Sequence, residues 1–225
     1  MSIYWLEKDD LFKTVLKTLQ PENIVLDIGC GIRPQNFIKP AVHICCEPFE
    51  QYIEVLQDKI KNSGDRNYVI IKATWAEVVK LFPAKSVDTV FLVDVIEHLE
   101  KEEALALLQA TETIVKHQIA IFTPLGFLPQ EHPDGKDAWG FDGGAWQEHK
   151  SGWQPEDFDV SWDIYAAKTF HTTDNLGTPL DQPYGALWAI KTMQPDTTRP
   201  VIFTKRQKAH SLVDKFIDSL KLKLP

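Results

Sequence analysis

The residues best equipped for chemistry stand at the ends of apolar runs. Asp27-Ile28-Gly29-Cys30-Gly31 follows Ile24, Val25 and Leu26. It puts a carboxylate at the end of a buried strand, then two glycines whose missing Cβ atoms let the backbone turn sharply and approach a ligand. Glu47-Pro48 closes a second apolar run, Val42 to Cys46, and Thr74-Trp75 follows a third, Tyr68 to Lys72. Asp94-Val95-Ile96-Glu97-His98-Leu99 closes a fourth, Asp88 to Val93. A carboxylate can accept two hydrogen bonds from a vicinal diol, which suits Glu47 to a ribose. His98 carries a base for neutral pH, or simply bonds to backbone at the head of a helix. Asp94 reads either as a site acid or as a loop or capping acid. A stretch rich in rings, Trp139, Phe141, Trp146 and Trp153, surrounds His149. Such aromatics form a lid or an acceptor platform, or pack the loop down as a satellite core.

These groups need a frame. Residues 1–20 read as an amphipathic helix, with Leu11, Phe12, Val15, Leu16 and Leu19 on one face and Pro21 as a stop. The segment from Ile32 to Pro40 has room for one or two helical turns. A helix is expected from Phe49 to Asn62, a short one after the capping pattern Thr74-x-x-Glu77, and a strong one from Lys101 to Val115. A fifth strand, Gln118 to Thr123, stops at Pro124. Strands and helices alternate to this point, which calls for a parallel sheet with helices on both faces. Residues 124–153 lack a period and read as a functional or mobile loop. Pro155-Glu156-Asp157 restarts a helix, and Ser161–Phe170 and Ala186–Thr192 read as strands. Residues 205–222 read as an amphipathic helix. No second domain is evident, so the chain reads as one domain with a cofactor-binding half at 22–123 and a helix and hairpin at 154–192.

Two ligands compete for the glycine turn. A dinucleotide turn, G-x-G-x-x-G, needs glycine where Pro34 stands, and the helix after it would be unusually short. Asp27-x-Gly29-x-Gly31 instead resembles the first motif of class I S-adenosylmethionine-dependent methyltransferases. Glu47 stands where that family binds the ribose, Thr74-Trp75 where it holds adenine, and Asp88 to Leu99 looks like its fourth-strand motif. The resemblance covers residues 22–192. It implies a Rossmann-like α/β domain with a seven-stranded, mostly parallel sheet completed by an antiparallel hairpin. It further implies S-adenosylmethionine as cofactor, held by Asp27, Gly29, Cys30, Gly31, Arg33, Glu47, Pro48, Thr74, Trp75, Asp94 and Val95. Arg33 departs from the pattern, since many members have glycine there; it either pairs with the cofactor carboxylate or faces the surface. Methyl transfer needs mainly proximity and orientation. The acceptor side therefore rests on Asp94, His98 and His149 as catalytic candidates and on Trp139, Trp146 and Trp153 as substrate contacts. The function implied is methyl transfer to a small-molecule or glycan-like acceptor; a non-catalytic cofactor-binding sensor or scaffold is the alternative.

Composition narrows the partners. The 225 residues carry a net charge of -8, which disfavours nucleic acid or an anionic membrane as partner. No apolar run reaches the length of a membrane helix, and charged residues interrupt the N-terminus, so neither a span nor a signal peptide is expected. Cys30, Cys45 and Cys46 form no disulfide framework and suit a reducing cytoplasm. The spacings of His132, Asp134, Asp137, Asp142 and His149 match no ligand pattern, so no metal site is expected.

Overall fold

Apolar runs of this kind need cover on both faces, and the chain supplies it by alternating strands with helices. The computed structural model describes residues 1–61 and 63–194, so the helix expected over 205–222 lies outside the described residues. The elements are β1 (Ser2–Trp5), α1 (Lys8–Thr18), β2 (Ile24–Ile28), β3 (Val42–Glu47), α2 (Glu50–Ile60), β4 (Asn67–Lys72), α3 (Trp75–Leu81), β5 (Val87–Val93), α4 (Lys101–Ile114), β6 (Val115–Leu125), α5 (Gly144–Gln147), β7 (Asp163–Thr173) and β8 (Pro179–Thr192). They build one eight-stranded sheet in the order β1-β7-β8-β6-β5-β2-β3-β4. β8 runs antiparallel to β6 and β7, and every other pairing is parallel.

Side-chain alternation along the strands divides the core into two faces. Leu26, Val90, Leu92 and Ile121 pack with Val78 of α3 and Leu107 of α4. Val25, Phe91 and Ala120 point the other way, onto Leu11 and Val15 of α1. Cys45 shares that second face and packs with Cys30 and with Leu56 of α2. Burial on both faces explains the near-continuous apolar runs. The chain leaves β2 for β3 on one side and returns to β5 on the other. That reversal opens a crevice beyond the carboxyl ends of β2 and β5, the usual ligand position in such sheets.

The structure corrects the sequence reading in several places. The sheet has eight strands rather than seven, because residues 2–5 form β1 instead of the start of a helix. Ile3, Tyr4 and Trp5 favour extended backbone. They cover the open edge of β7, and Tyr4 stacks on Tyr165 with centroids 4.9 Å apart. Residues 32–40 form no helix. Gln35 serves their backbone instead, its Oε1 accepting from Phe37 and Ile38 N–H and its Nε2 donating to Ile38 carbonyl. Phe37 then wedges edge-on against Trp188, 5.0 Å away. β6 continues through Pro124 to Leu125, paired with β8, because β5 has already ended at Val93 opposite Phe122. β7 and β8 extend beyond the expected limits to a turn where Asp174 Oδ1 accepts from Leu176 and Thr178 N–H. Pro155–Asp157 is one short 3-10 turn rather than a helix. No helix among the described residues is long and apolar enough to cross a membrane.

Candidate functional site

A cavity of about 370 Å³ opens at the carboxyl ends of β2, β3, β4 and β5. Gly29, Glu47, Pro48, Thr74, Trp75, Asp94 and Val95, all expected as cofactor contacts, line it. Gly29 sits at φ +67°, and a Cβ there would come within 2.9 Å of Val95 Cγ2. The turn is held by Cys46 carbonyl, which accepts from Gly29 and Cys30 N–H at 2.8 and 3.3 Å. Glu47 ends β3, 4 % exposed, with Oε2 accepting from Gly31 N–H and Oε1 from Phe49 N–H, each at 2.9 Å. Burial pushes its carboxyl up to about 7, against those two amides. Each oxygen keeps a lone pair for a further donor. Thr74 caps α3, its N–H and Oγ1 both donating to Glu77 Oε2 at 2.8 Å.

Four expected contacts stand elsewhere. Asp27 is buried behind the turn, accepting from Gln35 N–H at 2.7 Å and facing His43 Nε2 at 3.1 Å. Burial disfavours charge on His43, but the Asp27 partnership overrides it and raises the imidazole to about 9. Asp27 therefore shapes the turn from below. Cys30 is buried against Leu56, away from the cavity. Gly31 is used through its N–H to Glu47 and lies beneath Trp139, whose ring would be 3.7 Å from a Cβ there. Arg33 is exposed and stacks over Trp139 at 5.8 Å, outside the cavity wall.

A second cavity of about 210 Å³ lies alongside and shares Asp94, His98 and Gln147 with the first. Asp94 adopts φ +51°, a left-handed conformation that Asp tolerates better than most residues. It reaches solvent through the cavities, while the protein around it pushes its carboxyl up to about 6. Glu97, buried on the 3-10 turn Ile96–His98, is raised well above the carboxylate range by burial and by the Asp94 charge. Burial and the adjacent His149 push His98 down to about 3, and burial lowers His149. Both imidazoles are thus neutral at physiological pH, and the rings stand 4.9 Å apart. Sequence spacing gave no metal-ligand pattern, yet the fold brings ligating atoms of Glu97, His98 and His149 within 4.8 Å of one another.

The loop before β7 reaches the site by being packed, not by hanging free. Asp137 is buried, its Oδ1 accepting from Trp139 and Phe141 N–H and its Oδ2 from the Tyr52 hydroxyl. Gly143 passes so close that a Cβ would meet Tyr52 Oη at 2.3 Å. The expected tryptophans separate. Trp146 lines the first cavity, 46 % exposed. Trp139 covers Gly31 and meets Tyr52 edge-on at 5.2 Å. Trp153 contacts no ligand space: it is 0 % exposed, packs on Phe158, and donates Nε1–H to Ser151 Oγ. Bounded by Pro155 and the β6 end, it is a core residue. Sequence reasoning missed Tyr52, Glu97, Lys150 and His171. Glu97 carried a signal, three residues after Asp94 and beside His98; the other three are placed by tertiary packing.

No family model matches the sequence, and no curated protein matches it significantly. Solved structures do share its fold. TehB from Haemophilus influenzae is 14 % identical with TM-score 0.54, over 80 % of this chain and 61 % of that one. A SAM-dependent methyltransferase from Leishmania major is 12 % identical with TM-score 0.53, over 81 % and 70 %. The YcgJ protein of Bacillus subtilis is 13 % identical with TM-score 0.52, over 83 % and 100 %. At these identities the likeness is one of fold.

Proposed function

On the premise that the chain has the Rossmann-like fold of class I S-adenosylmethionine-dependent methyltransferases, we propose that it transfers a methyl group to an acceptor held in the second cavity. One observation carries this reading: Asp94 stands in the shared wall of two adjoining, open cavities. A cofactor-binding sensor or scaffold would need only the first of them.

The residues present fit the cofactor. Gly29 leaves a cradle that a Cβ would fill, and Glu47 offers acceptor lone pairs for a diol. Trp75 beyond β4 and Val95 beyond β5 supply apolar walls. When bound, S-adenosylmethionine supplies a methyl group already activated on a sulfonium. The chain's own work is then to bind, orient and exclude water. Glu47 fixes the ribose, and Trp146 with Lys150 closes the mouth from the loop. Asp94, raised to about 6 and open to both cavities, receives the proton that an acceptor hydroxyl must lose. His98, pushed down to about 3, is the weaker base and serves as wall and positioner with His149.

The second cavity is small, which favours a small molecule or the end of a glycan as acceptor. A net charge of -8 argues against a polyanion. The test is calorimetry with S-adenosylhomocysteine, followed by labelled S-adenosylmethionine incubated with separated metabolite, glycan and nucleic-acid fractions. A label transferred to a metabolite or glycan supports the reading. Tight cofactor binding with no labelled product in any fraction would favour the sensor, and label in nucleic acid would overturn the acceptor class.

A further inference from the structure

Among the described residues, ligand-type side chains crowd the second cavity. Its lining includes Asp94, Glu97 and Asp174 together with His98, His149 and His171, and no Lys or Arg. Glu97 is only 2 % exposed, and only one of its oxygens is satisfied, Oε2 accepting from Thr123 Oγ1 at 3.0 Å. Oε1 is buried with no donor in reach except a proton shared with the neighbouring Asp94 carboxyl. A buried carboxylate oxygen left this way is costly unless a proton or a cation meets it.

The imidazoles of His98 and His149 both have a backbone carbonyl partner on Nδ1. His98 Nδ1 lies 3.1 Å from Glu148 carbonyl, and His149 Nδ1 lies 2.6 Å from Leu128 carbonyl. A carbonyl only accepts, so each Nδ1 carries the hydrogen and each Nε2 keeps its lone pair. A carbonyl partner on the far nitrogen is the usual second contact of a ligating histidine. The backbone fixes the third ligand equally well: Glu97 carbonyl accepts from Lys150 and Ser151 N–H at 2.7 and 3.1 Å, tying the 3-10 turn to the segment bearing His149.

From this geometry we infer that Glu97, His98 and His149, with Asp94 beside them, bind a first-row divalent cation at the wall between the two cavities. Ligating atoms of the first three lie within 4.8 Å of one another. A cation bonded at about 2.0–2.2 Å holds neighbouring ligands roughly 3 Å apart and opposite ones roughly 4.2 Å apart, so side-chain shifts of about an ångström close the set. Two imidazoles with carboxylates select Mn²⁺, Fe²⁺, Co²⁺ or Zn²⁺ over Mg²⁺ and Ca²⁺. Two other clusters of similar composition lack these marks. Asp27, His43 and Cys45 are buried in the sheet and outside either cavity, and Asp27 and His43 already serve each other. In the group of Glu22, Asp88 and His117, Asp88 pairs with Lys116 and His117 with Glu22.

Resting on the methyltransferase reading, the cation has a clear use. A cation held by Glu97, His98 and His149 would make a neighbouring acceptor hydroxyl more acidic; its oxygen would take the methyl as the sulfonium S–C bond breaks, leaving S-adenosylhomocysteine, and Asp94 would take the proton. The acceptor class is thereby narrowed to oxygen nucleophiles that can coordinate.

The test uses the full chain, stripped with a chelator, without S-adenosylmethionine. Mn²⁺ binding is read by loss of the free-ion electron paramagnetic resonance signal, and Co²⁺ and Zn²⁺ by calorimetry. One ion per chain is expected, weakened roughly tenfold or more by Glu97→Gln and by His149→Gln. Thermal unfolding checks that each variant is folded; should Glu97→Gln fail, His98→Gln and His149→Gln carry the comparison. Absence of single-site binding by all three ions, or binding unchanged within threefold in folded variants, would overturn the inference. S-adenosylhomocysteine titrated separately keeps the two claims apart. A chain that binds the cation but not S-adenosylhomocysteine would sink the methyltransferase reading, and one that binds S-adenosylhomocysteine but no cation would sink the metal site.

Discussion

Replacing Glu47 by Gln examines the proposed cofactor pocket at its most specific point. The wild-type carboxylate already accepts from Gly31 and Phe49 N–H, each at 2.9 Å. Its remaining lone pairs are what a ribose diol would use. Hydrogen bonds to a charged acceptor contribute about 1.5–3 kcal/mol each. Gln keeps one acceptor oxygen but loses the charge, and its NH2 must face a backbone donor. The expected loss is about 1.5–3 kcal/mol, or roughly 10- to 150-fold in Kd. The pH profile adds a second reading. With burial raising the carboxyl to about 7, roughly a tenth is ionised at pH 6 and roughly nine-tenths at pH 8. Wild-type affinity for S-adenosylhomocysteine should therefore rise roughly tenfold across that span, and the slope should vanish in Glu47→Gln. Isothermal calorimetry at several pH values, with thermal unfolding as a check on folding, decides the matter. A variant that binds within threefold of wild type, or a flat wild-type profile, refutes the placement of the ribose at Glu47.

Other perturbations separate packing from function. Gly29→Ala forces a left-handed alanine, costing about 1–2 kcal/mol, and drives its Cβ onto Val95 at 2.9 Å; calorimetric melting should show a fall of roughly 2–8 °C together with weaker cofactor binding. Trp153→Ala should cost about 3–5 kcal/mol in urea unfolding through the cavity it leaves, whereas Trp146→Ala, at a half-open position, should change stability by less than about 1 kcal/mol yet weaken cofactor binding. His98 is pushed from its ordinary 6.5 to about 3, so the unfolded chain takes up a proton there that the folded chain refuses. Its contribution to stability is full above pH 6.5 and is lost as pH falls toward 3; urea midpoints in wild type should drop through that window more steeply than in His98→Gln, and equal slopes would rule the contribution out.

The sequence made the inner parallel strands readable because β2, β3 and β5 are buried on both faces and end in marked turns. Val42 to Glu47 and Val87 to Val93 could not be mistaken once the apolar runs and their terminal acids were placed together. Residues 2–5 were hidden because the apolar period of α1 extends by accident into a strand whose partner, β7, lies far along the chain. Residues 32–40 misled for a different reason: one side chain, Gln35, does the hydrogen bonding that a helix would have done. Seven of the eleven residues expected at the cofactor line the first cavity, whereas Asp27, Cys30, Gly31 and Arg33 stand outside it, Asp27 bracing the turn against His43. The tryptophans of the loop could not be sorted by sequence, because Trp146 at a cavity mouth and Trp153 in the core share the same local composition.

Glu97 explains why one loop can serve both cavities. Its side chain is locked on Thr123 of β6, and its carbonyl holds the backbone of Lys150 and Ser151. From that anchor the loop sends Trp146 and Lys150 into the first cavity and His149 into the second. Asp137 makes the other anchor, on Tyr52 of α2. A loop fixed at both points places its cavity-lining residues with the precision of the sheet, although it contains little regular structure of its own. Only two residues separate Trp146 at the first cavity from His149 at the second, on this one fixed segment. Were a cofactor to displace Trp146 and a cation to draw in His149, the two sites would be coupled through residues 146–149, and by linkage that coupling would be reciprocal in free energy.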